Sequence, residues 1–206
     1  MAKDTVVLYV HGKGGNAAES ERFRPLFPQA DVIGFDYRSE NPWDAKTEFS
    51  GKTADLKAAR KNIVLIARSI GAYFAMNAGI SDLIGQACFI SPIVDMESLI
   101  ATMLARIGAS ESELESRKII KTDFGQDLSW DYLQYVRNNP IEWNAPTRIL
   151  YGDRDNLQSR ETIAGFARRV RADVTVMNGG EHWFHTPEQM DFLDDWIRKI
   201  NPVSNK

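Results

Sequence analysis

The chain has few of the residues that form disulfides, bind metals or build a basic surface. It has one cysteine, Cys88, and three histidines among 206 residues, so an intrachain disulfide and a cysteine-rich zinc site are excluded. Cys88 stands in an apolar run at 87–90, which predicts a buried small side chain. The formal net charge is -3, and no basic stripe is visible, which argues against nucleic acid as a partner.

Long apolar segments are also lacking. No apolar run is long enough to span a bilayer, and residues 1–4 lead directly into a predicted strand without the apolar region of a signal peptide. We therefore expect a cytoplasmic protein that does not bind membranes. The hydrophobic content of 43% and the charged content of 26% are ordinary for a globular protein. The whole chain, 1–206, is long enough for a single domain with a sizeable core.

Short apolar runs alternate with amphipathic helical patterns along the chain. The runs at 6–10, 31–37, 63–66, 87–90, 148–151 and 174–177 predict strands. Helices are predicted at 17–27, 53–61, 70–78, 161–170 and 187–200. This alternation predicts an α/β fold with a doubly wound, mostly parallel sheet of about six strands.

Polar and glycine-rich motifs directly follow three of these strands. They are His11-Gly12-Lys13-Gly14-Gly15, Tyr151-Gly152-Asp153-Arg154-Asp155 and Gly179-Gly180-Glu181-His182. In an open α/β sheet, ligands bind at the carboxyl ends of the strands, so we expect a site there. The first motif lacks both the dinucleotide fingerprint and the Walker spacing, so nucleotide binding is not expected.

The segment Ala67-Arg68-Ser69-Ile70-Gly71 is the most informative motif. It stands between a predicted strand and a predicted helix, which is the context of a nucleophile elbow. A turn this tight brings the strand and helix backbones together, so the positions two before and two after the serine must be small. Ala67 and Gly71 meet that requirement, although glycine is usual at both positions.

These motifs, with Ser, then Asp, then His in chain order, resemble the α/β-hydrolase superfamily. The resemblance implies that Ser69 is the nucleophile and His182 the general base. It places the orienting carboxylate at Asp155, which ends a Gly-x-x-Asp pattern. Two backbone amides, those of Lys13 and Ile70, are implied to stabilise an oxyanion.

Some assignments have alternatives in the sequence itself. His185 competes with His182 as the base, and Asp153 or Asp95 could replace Asp155 as the acid. The remaining histidine, His11, is expected to organise its loop by hydrogen bonding. A cation at Arg68 either favours anionic substrates or makes a surface contact to a lid or a neighbouring helix.

The segment 94–143 interrupts the alternation. Helices are predicted at 96–107, 112–121 and 129–137, and no strand is evident. The resemblance implies that this segment is a small helical lid inserted into the single domain, and the alternative is that the helices simply cover the sheet.

A hydrolase of small carboxylic esters or thioesters is the function that the resemblance implies, acting through an acyl-enzyme. The fold hosts many reactions, so acyl transfer, peptide cleavage, carbon–carbon cleavage and a non-catalytic binding role stay open. No metal or organic cofactor is expected, because the reaction needs none, and the oligomeric state is unknown.

Overall fold

The computed structural model, which describes residues 3–60 and 62–201, is built around one parallel sheet. The strands in chain order are β1 (Thr5–Val10), β2 (Asp31–Phe35), β3 (Asn62–Arg68), β4 (Gln86–Ile90), β5 (Ile119–Ile120), β6 (Leu128–Ser129), β7 (Thr147–Gly152) and β8 (Asp173–Met177). Six of them form a sheet in the order β2-β1-β3-β4-β7-β8, and every neighbouring pair is parallel. The predicted α/β fold with a doubly wound sheet is confirmed.

Helices connect the strands of the sheet. The α-helices are α1 (Pro42–Ala59), α2 (Ser69–Asn77), α3 (Met96–Arg106), α4 (Glu111–Arg117), α5 (Trp130–Asn138), α6 (Arg160–Val170) and α7 (Pro187–Ile200). Two 3₁₀ helices cover Ala17–Leu26 and Ser81–Leu83.

Two helices differ from their predictions. The helix predicted at 17–27 is of the 3₁₀ type and contains Pro25, which has no N–H to donate. Helix α1 begins at Pro42 rather than at residue 53, because Asn41 caps its first turn by accepting from the Asp44 amide and proline suits the first helical position. The helix ends at Ala59, and Lys61, the predicted end, lies outside the described residues.

Both faces of the central strands are buried. In β1, all residues from Val6 to Val10 are at most 1% exposed, which explains why the strand reads as a continuous apolar run. On one face, Val7 and Tyr9 share a core with Phe23 of the 3₁₀ helix and Leu193 of α7. Helices α1 and α2 pack against each other with aromatic rings at their contact.

The chain reverses its direction of travel across the sheet at β1. It runs from β1 outward to β2, then crosses back to β3 on the other side of β1 and continues through β4, β7 and β8. The loops after β1 and β3 therefore leave the sheet in opposite directions and open a crevice at its carboxyl edge, the usual ligand position in such sheets.

Residues Asp95–Ile141 form a compact unit of their own, and the remaining described residues form another. The smaller unit contains α3, α4 and α5, where three helices were predicted. The helix predicted at 112–121 is too long, because α4 ends at Arg117 and Lys118 has a positive φ of 65°. It also contains an antiparallel pair, β5 and β6, so the prediction of no strand in this segment is wrong. Each of these strands has only two residues, which is too short to produce a recognisable alternation.

A charged clamp joins the helices of this smaller unit. The Arg137 guanidinium on α5 donates to Glu97 of α3 at 2.6 Å and to both carboxylate oxygens of Glu111 at 2.5 and 2.8 Å. These hydrogen bonds lower the pKa of Glu111 below its ordinary value and raise that of Arg137. The clamp links three helices, because Glu111 is the first residue of α4.

We expect Arg137→Met to lower the melting temperature at neutral pH, and the difference from the wild type to shrink in acid. A carboxyl group with a lowered folded-state pKa stabilises above its unfolded pKa of about 4.3, and this contribution disappears as the pH falls through the folded value. Thermal unfolding of both proteins between pH 7 and pH 3 measures the difference. Arg117→Met is the control, because Arg117 pairs with Glu113 within a single helix. A difference that grows in acid contradicts the clamp.

Candidate active site

Ser69 occupies a strained turn between β3 and α2. Its φ is +50°, in the left-handed region that a residue with a side chain rarely adopts. Such strain persists only where the surrounding structure imposes it. A Cβ atom on Gly71 would lie 2.2 Å from the His11 carbonyl oxygen, so only glycine fits there. Ala67, on the other flank of the serine, is completely buried. Both flanking positions therefore lie in packed surroundings, as expected for positions that take small residues.

The structure brings Ser69, His182 and Asp155 into one hydrogen-bonded chain. The Ser69 Oγ atom lies 2.8 Å from His182 Nε2, and His182 Nδ1 lies 2.7 Å from Asp155 Oδ2. The side chains of His182 and Asp155 are 2% and 0% exposed. A carboxylate only accepts hydrogen bonds, so Asp155 favours the tautomer with the proton on Nδ1. Nε2 is then left as an acceptor for the serine proton.

Asp155 is itself held by its own loop. Its Oδ1 atom accepts from the backbone amides of Leu157 at 2.8 Å and Gln158 at 3.2 Å. Gln158 is a buried residue, 4% exposed. Its side chain accepts from the Val94 amide and donates to the Leu157 carbonyl. The carboxylate therefore approaches His182 from a loop that is tied to the segment after β4.

The alternative acids and the alternative base make contacts outside the hydrogen-bonded chain of Ser69, His182 and Asp155. Asp153 accepts from the Gly179 amide at 2.6 Å, and Asp95 caps α3 by accepting from the Ser98 amide at 2.9 Å. His185 pairs through Nδ1 with Glu181 at 3.3 Å, and its side chain is 62% exposed. Of these alternatives, only His185 borders the cavity beside Ser69.

The loop after β1 lies against the serine. A Cβ atom on Gly12 would lie 3.1 Å from Ser69 Cβ. His11 Nδ1 is 2.8 Å from the Gly12 carbonyl oxygen, and the His11 ring stacks on Tyr37 at 4.3 Å. Burial raises the pKa of Tyr37, so its phenol keeps the proton that it donates to the His11 carbonyl at 2.9 Å. These contacts give His11 the loop-organising position expected from the sequence.

The two residues of the expected oxyanion site belong to the segments that meet at Ser69. Ile70 is in the first turn of α2, where backbone N–H groups have no acceptor within the helix. Lys13 borders the cavity beside Ser69. Ile70 thus follows the serine in the helix, and Lys13, in the loop after β1, lines the same cavity as Ser69.

A cavity of about 350 Å³ opens beside Ser69 and His182. Its walls are apolar at Ile90, Phe184 and Met190 and charged at Lys13, Glu19 and Arg68. Phe184 is 0% exposed and has a φ of +44°, which fixes the loop that carries His182. A smaller cavity of about 230 Å³ shares Glu19, Arg68 and Met190 with the first and continues toward Phe23 and Leu193.

Sequence reasoning missed three residues and one contact at this site. Glu19, Tyr9 and Trp183 were not singled out, although the Asn16-x-x-Glu19 spacing is a capping-box pattern that points to the Ala17–Leu26 helix. Arg68 was expected to contact a lid or a neighbouring helix, or to favour anions. Its guanidinium faces Glu19 of the Ala17–Leu26 helix, which agrees with the expected contact to a neighbouring helix, and it also donates to the Trp183 carbonyl. No local pattern predicts a contact over that sequence distance.

The described residues contain neither a metal-binding cluster nor a membrane-spanning helix. Across 3–60 and 62–201, no group of three or more His, Cys, Asp or Glu side chains could hold a metal ion. No helix in this part of the chain is long and apolar enough to cross a membrane. The cytoplasmic location stays a prediction.

Solved structures share this fold at low sequence identity. Est1E from Butyrivibrio proteoclasticus is 14% identical, with 97% of this chain and 87% of that chain covered and a TM-score of 0.72. The alpha/beta hydrolase domain-containing protein 10 from mouse is 16% identical, with 97% and 90% covered and a TM-score of 0.75. An esterase from Pyrococcus furiosus is 19% identical, with 98% and 80% covered and a TM-score of 0.65.

The chain therefore has the α/β-hydrolase fold, and the resemblance in its motifs is confirmed at the level of the fold. The amino-acid sequence alone matches no family model and no curated protein.

We expect Gly71→Ala to destabilise the protein by roughly 1–3 kcal/mol, because the added methyl group must displace the His11 carbonyl or the helix. Gly51→Ala is the matched control. A Cβ atom there meets nothing within 4 Å, and alanine in a helix interior is more stable than glycine by about 0.5–1 kcal/mol. Chemical denaturation of the three proteins measures both effects. A Gly71→Ala variant as stable as the wild type contradicts the close approach.

Proposed function

We propose that this protein is a serine hydrolase that cleaves a small carboxylic ester or thioester. The observation that carries the proposal is the chain from Ser69 Oγ through His182 to Asp155, with contacts of 2.8 and 2.7 Å, beside a cavity. An unactivated serine hydroxyl is a weak nucleophile, and a hydrogen-bonded imidazole is the group that activates it. The esterases and hydrolases among the structures with this fold support the same reaction class.

The proposed reaction begins when Ser69 Oγ attacks the substrate carbonyl carbon and His182 Nε2 takes the serine proton. The carbonyl oxygen becomes an oxyanion, which the Ile70 and Lys13 amides stabilise. Asp155 stabilises the imidazolium without taking its proton. His182 then protonates the departing alcohol or thiol. Water, activated by the same imidazole, hydrolyses the acyl-enzyme and restores the serine.

The segment 94–143 is proposed as a helical lid of this hydrolase. Its central part, Asp95–Ile141, is a compact unit of three helices and one short strand pair, with its own charged clamp. A compact unit whose helices are joined by their own contacts suits a cover that moves as one body. The proposal keeps the whole chain, 1–206, as a single catalytic domain with this one insertion; residues 1–2, 61 and 202–206 of that range lie outside the described residues.

Labelling with a fluorophosphonate probe tests the proposed triad. We expect the wild type to be labelled on Ser69, and Ser69→Ala and His182→Ala to lose labelling. Asp155→Asn should label more slowly by about 10⁴-fold, because the wrong histidine tautomer is then favoured. Asp153→Asn is the control, because its amide oxygen can still accept from Gly179, and we expect it to label like the wild type. A folded wild type without any label at Ser69 favours a binding protein on this fold.

The size of the cavity predicts a preference for short acyl chains. A volume of about 350 Å³ lies near the lower end of the 300–1,000 Å³ that is typical of small-molecule sites. We expect kcat/KM for p-nitrophenyl acetate and butyrate to exceed that for the palmitate ester. Methyl ferulate belongs in the same series, because ferulic acid is bound in a structure of Est1E. Faster cleavage of the palmitate ester would contradict the small-substrate proposal.

A further inference from the structure

Arg68 connects the two segments that carry the nucleophile and the base. It is the last residue of β3 and directly precedes Ser69. Its guanidinium donates through Nη2 to the backbone carbonyl of Trp183, which directly follows His182. The Arg68 side chain is 18% exposed, so most of it lies within the wall of the site. A single side chain therefore spans from the elbow to the histidine loop.

The other terminal nitrogen of the guanidinium faces the carboxylate of Glu19. Arg68 Nη1 lies 3.9 Å from Glu19 Oε2. The same carboxylate accepts from the Tyr9 hydroxyl, and its Oε1 atom accepts from the Asn16 amide at 3.2 Å. Tyr9 is completely buried in β1, and burial raises its pKa, so the phenol stays protonated. The arginine is thus oriented by a carboxylate that the core and a helix cap keep in place.

The charge environment argues against Arg68 as a free anion-binding group. Its cation faces the Glu19 carboxylate at one nitrogen and the Trp183 carbonyl at another. An incoming carboxylate would have to compete with Glu19, a group of the same charge. A guanidinium is planar with donors in a rigid fork, so it is suited to holding two acceptors in fixed directions.

We propose that Arg68 is a positioning residue that sets the approach of the His182 imidazole to Ser69 Oγ through the Trp183 carbonyl. This inference rests on the proposed hydrolase function. The elbow fixes Ser69 through the backbone, whereas His182 is carried by the loop between β8 and α7. That loop is constrained by the contact of His182 with Asp155, by the burial of Phe184 and by the contact of Trp183 with Arg68. A misplacement of about 1 Å in such a site can reduce the rate by about 10²-fold.

The test compares Arg68→Met and Arg68→Lys with the wild type in ester hydrolysis and in the rate of fluorophosphonate labelling. We expect Arg68→Met to lower kcat and the maximal labelling rate by about 10- to 100-fold. KM should change by less than about 3-fold, since lost transition-state interactions lower kcat rather than substrate binding. The kcat of Arg68→Lys should lie between those of the wild type and Arg68→Met, because an ammonium keeps the charge but is a compact group without the planar, fixed donor geometry of a guanidinium.

Chemical rescue distinguishes positioning from a general structural effect. Methylguanidinium at concentrations below those that unfold the protein should raise the rate of Arg68→Met, whereas sodium chloride at the same concentration should not. Arg60→Met is the matched control. Arg60 is a half-buried arginine paired with Asp31 at 3.0 Å, and it precedes β3 at the opposite end of the strand from Ser69. We expect its kcat to stay at the wild-type value with and without methylguanidinium.

Other outcomes overturn the proposal in recognisable ways. An unchanged kcat with a raised KM would make Arg68 a substrate anchor. An activity loss without rescue, in proportion to the unfolded fraction, would make its role structural. If Arg68→Met does not fold, the same measurements are made on Arg68→Lys. A wild-type kcat in Arg68→Lys refutes the proposal that the planar guanidinium positions His182. Labelling of the wild type is measured before any variant is compared. A wild type without label at Ser69 contradicts the proposed hydrolase function itself.

Discussion

The close approach of helix α2 to the loop after β1 is the contact on which the rest of the site depends. Gly71 has no side chain, so the first turn of α2 can lie against the His11 carbonyl. Beside this contact, Ser69 has its left-handed backbone and the loop of Gly12 lies against the serine. The His11 carbonyl also accepts from Tyr37, so the segment that follows β2 supports the same point. Three segments that are distant in sequence meet there.

A second backbone approach repeats this arrangement on the other side of the site. A Cβ atom on Gly152, at the end of β7, would lie 2.3 Å from the Gly180 carbonyl oxygen. The loop that carries Asp155 therefore lies directly against the loop that carries His182, and the Arg154 amide donates to the same Gly180 carbonyl at 2.9 Å. Asp155 and His182 are thus related by main-chain packing, so the separation of their loops does not rely on flexible side chains. Both approaches require glycine for the same steric reason.

The six strands of the central sheet and most helices could be predicted from sequence, because they depend on short-range patterns. The three residues of the hydrogen-bonded chain were implied by the resemblance of the motifs to the α/β-hydrolase superfamily. Apolar runs mark the buried parallel strands, and small residues around Ser69 mark the elbow. The start of α1 was missed because the capping by Asn41 and the proline after it were not used. The two-residue strands β5 and β6 could not be found by periodicity. The Arg68 contact to Trp183 depends on how two distant loops fold, so no pattern around either residue predicts it.

The left-handed backbone at Ser69 has a consequence for how such a chain evolves. A left-handed conformation costs a residue with a side chain roughly 1–2 kcal/mol, whereas glycine adopts it freely. Selection for a durable fold alone would therefore drive position 69 toward glycine. A serine that keeps its hydroxyl 2.8 Å from an imidazole opposes that drift only while the hydroxyl is needed. Selection for stability and selection for the hydroxyl therefore favour different residues at position 69.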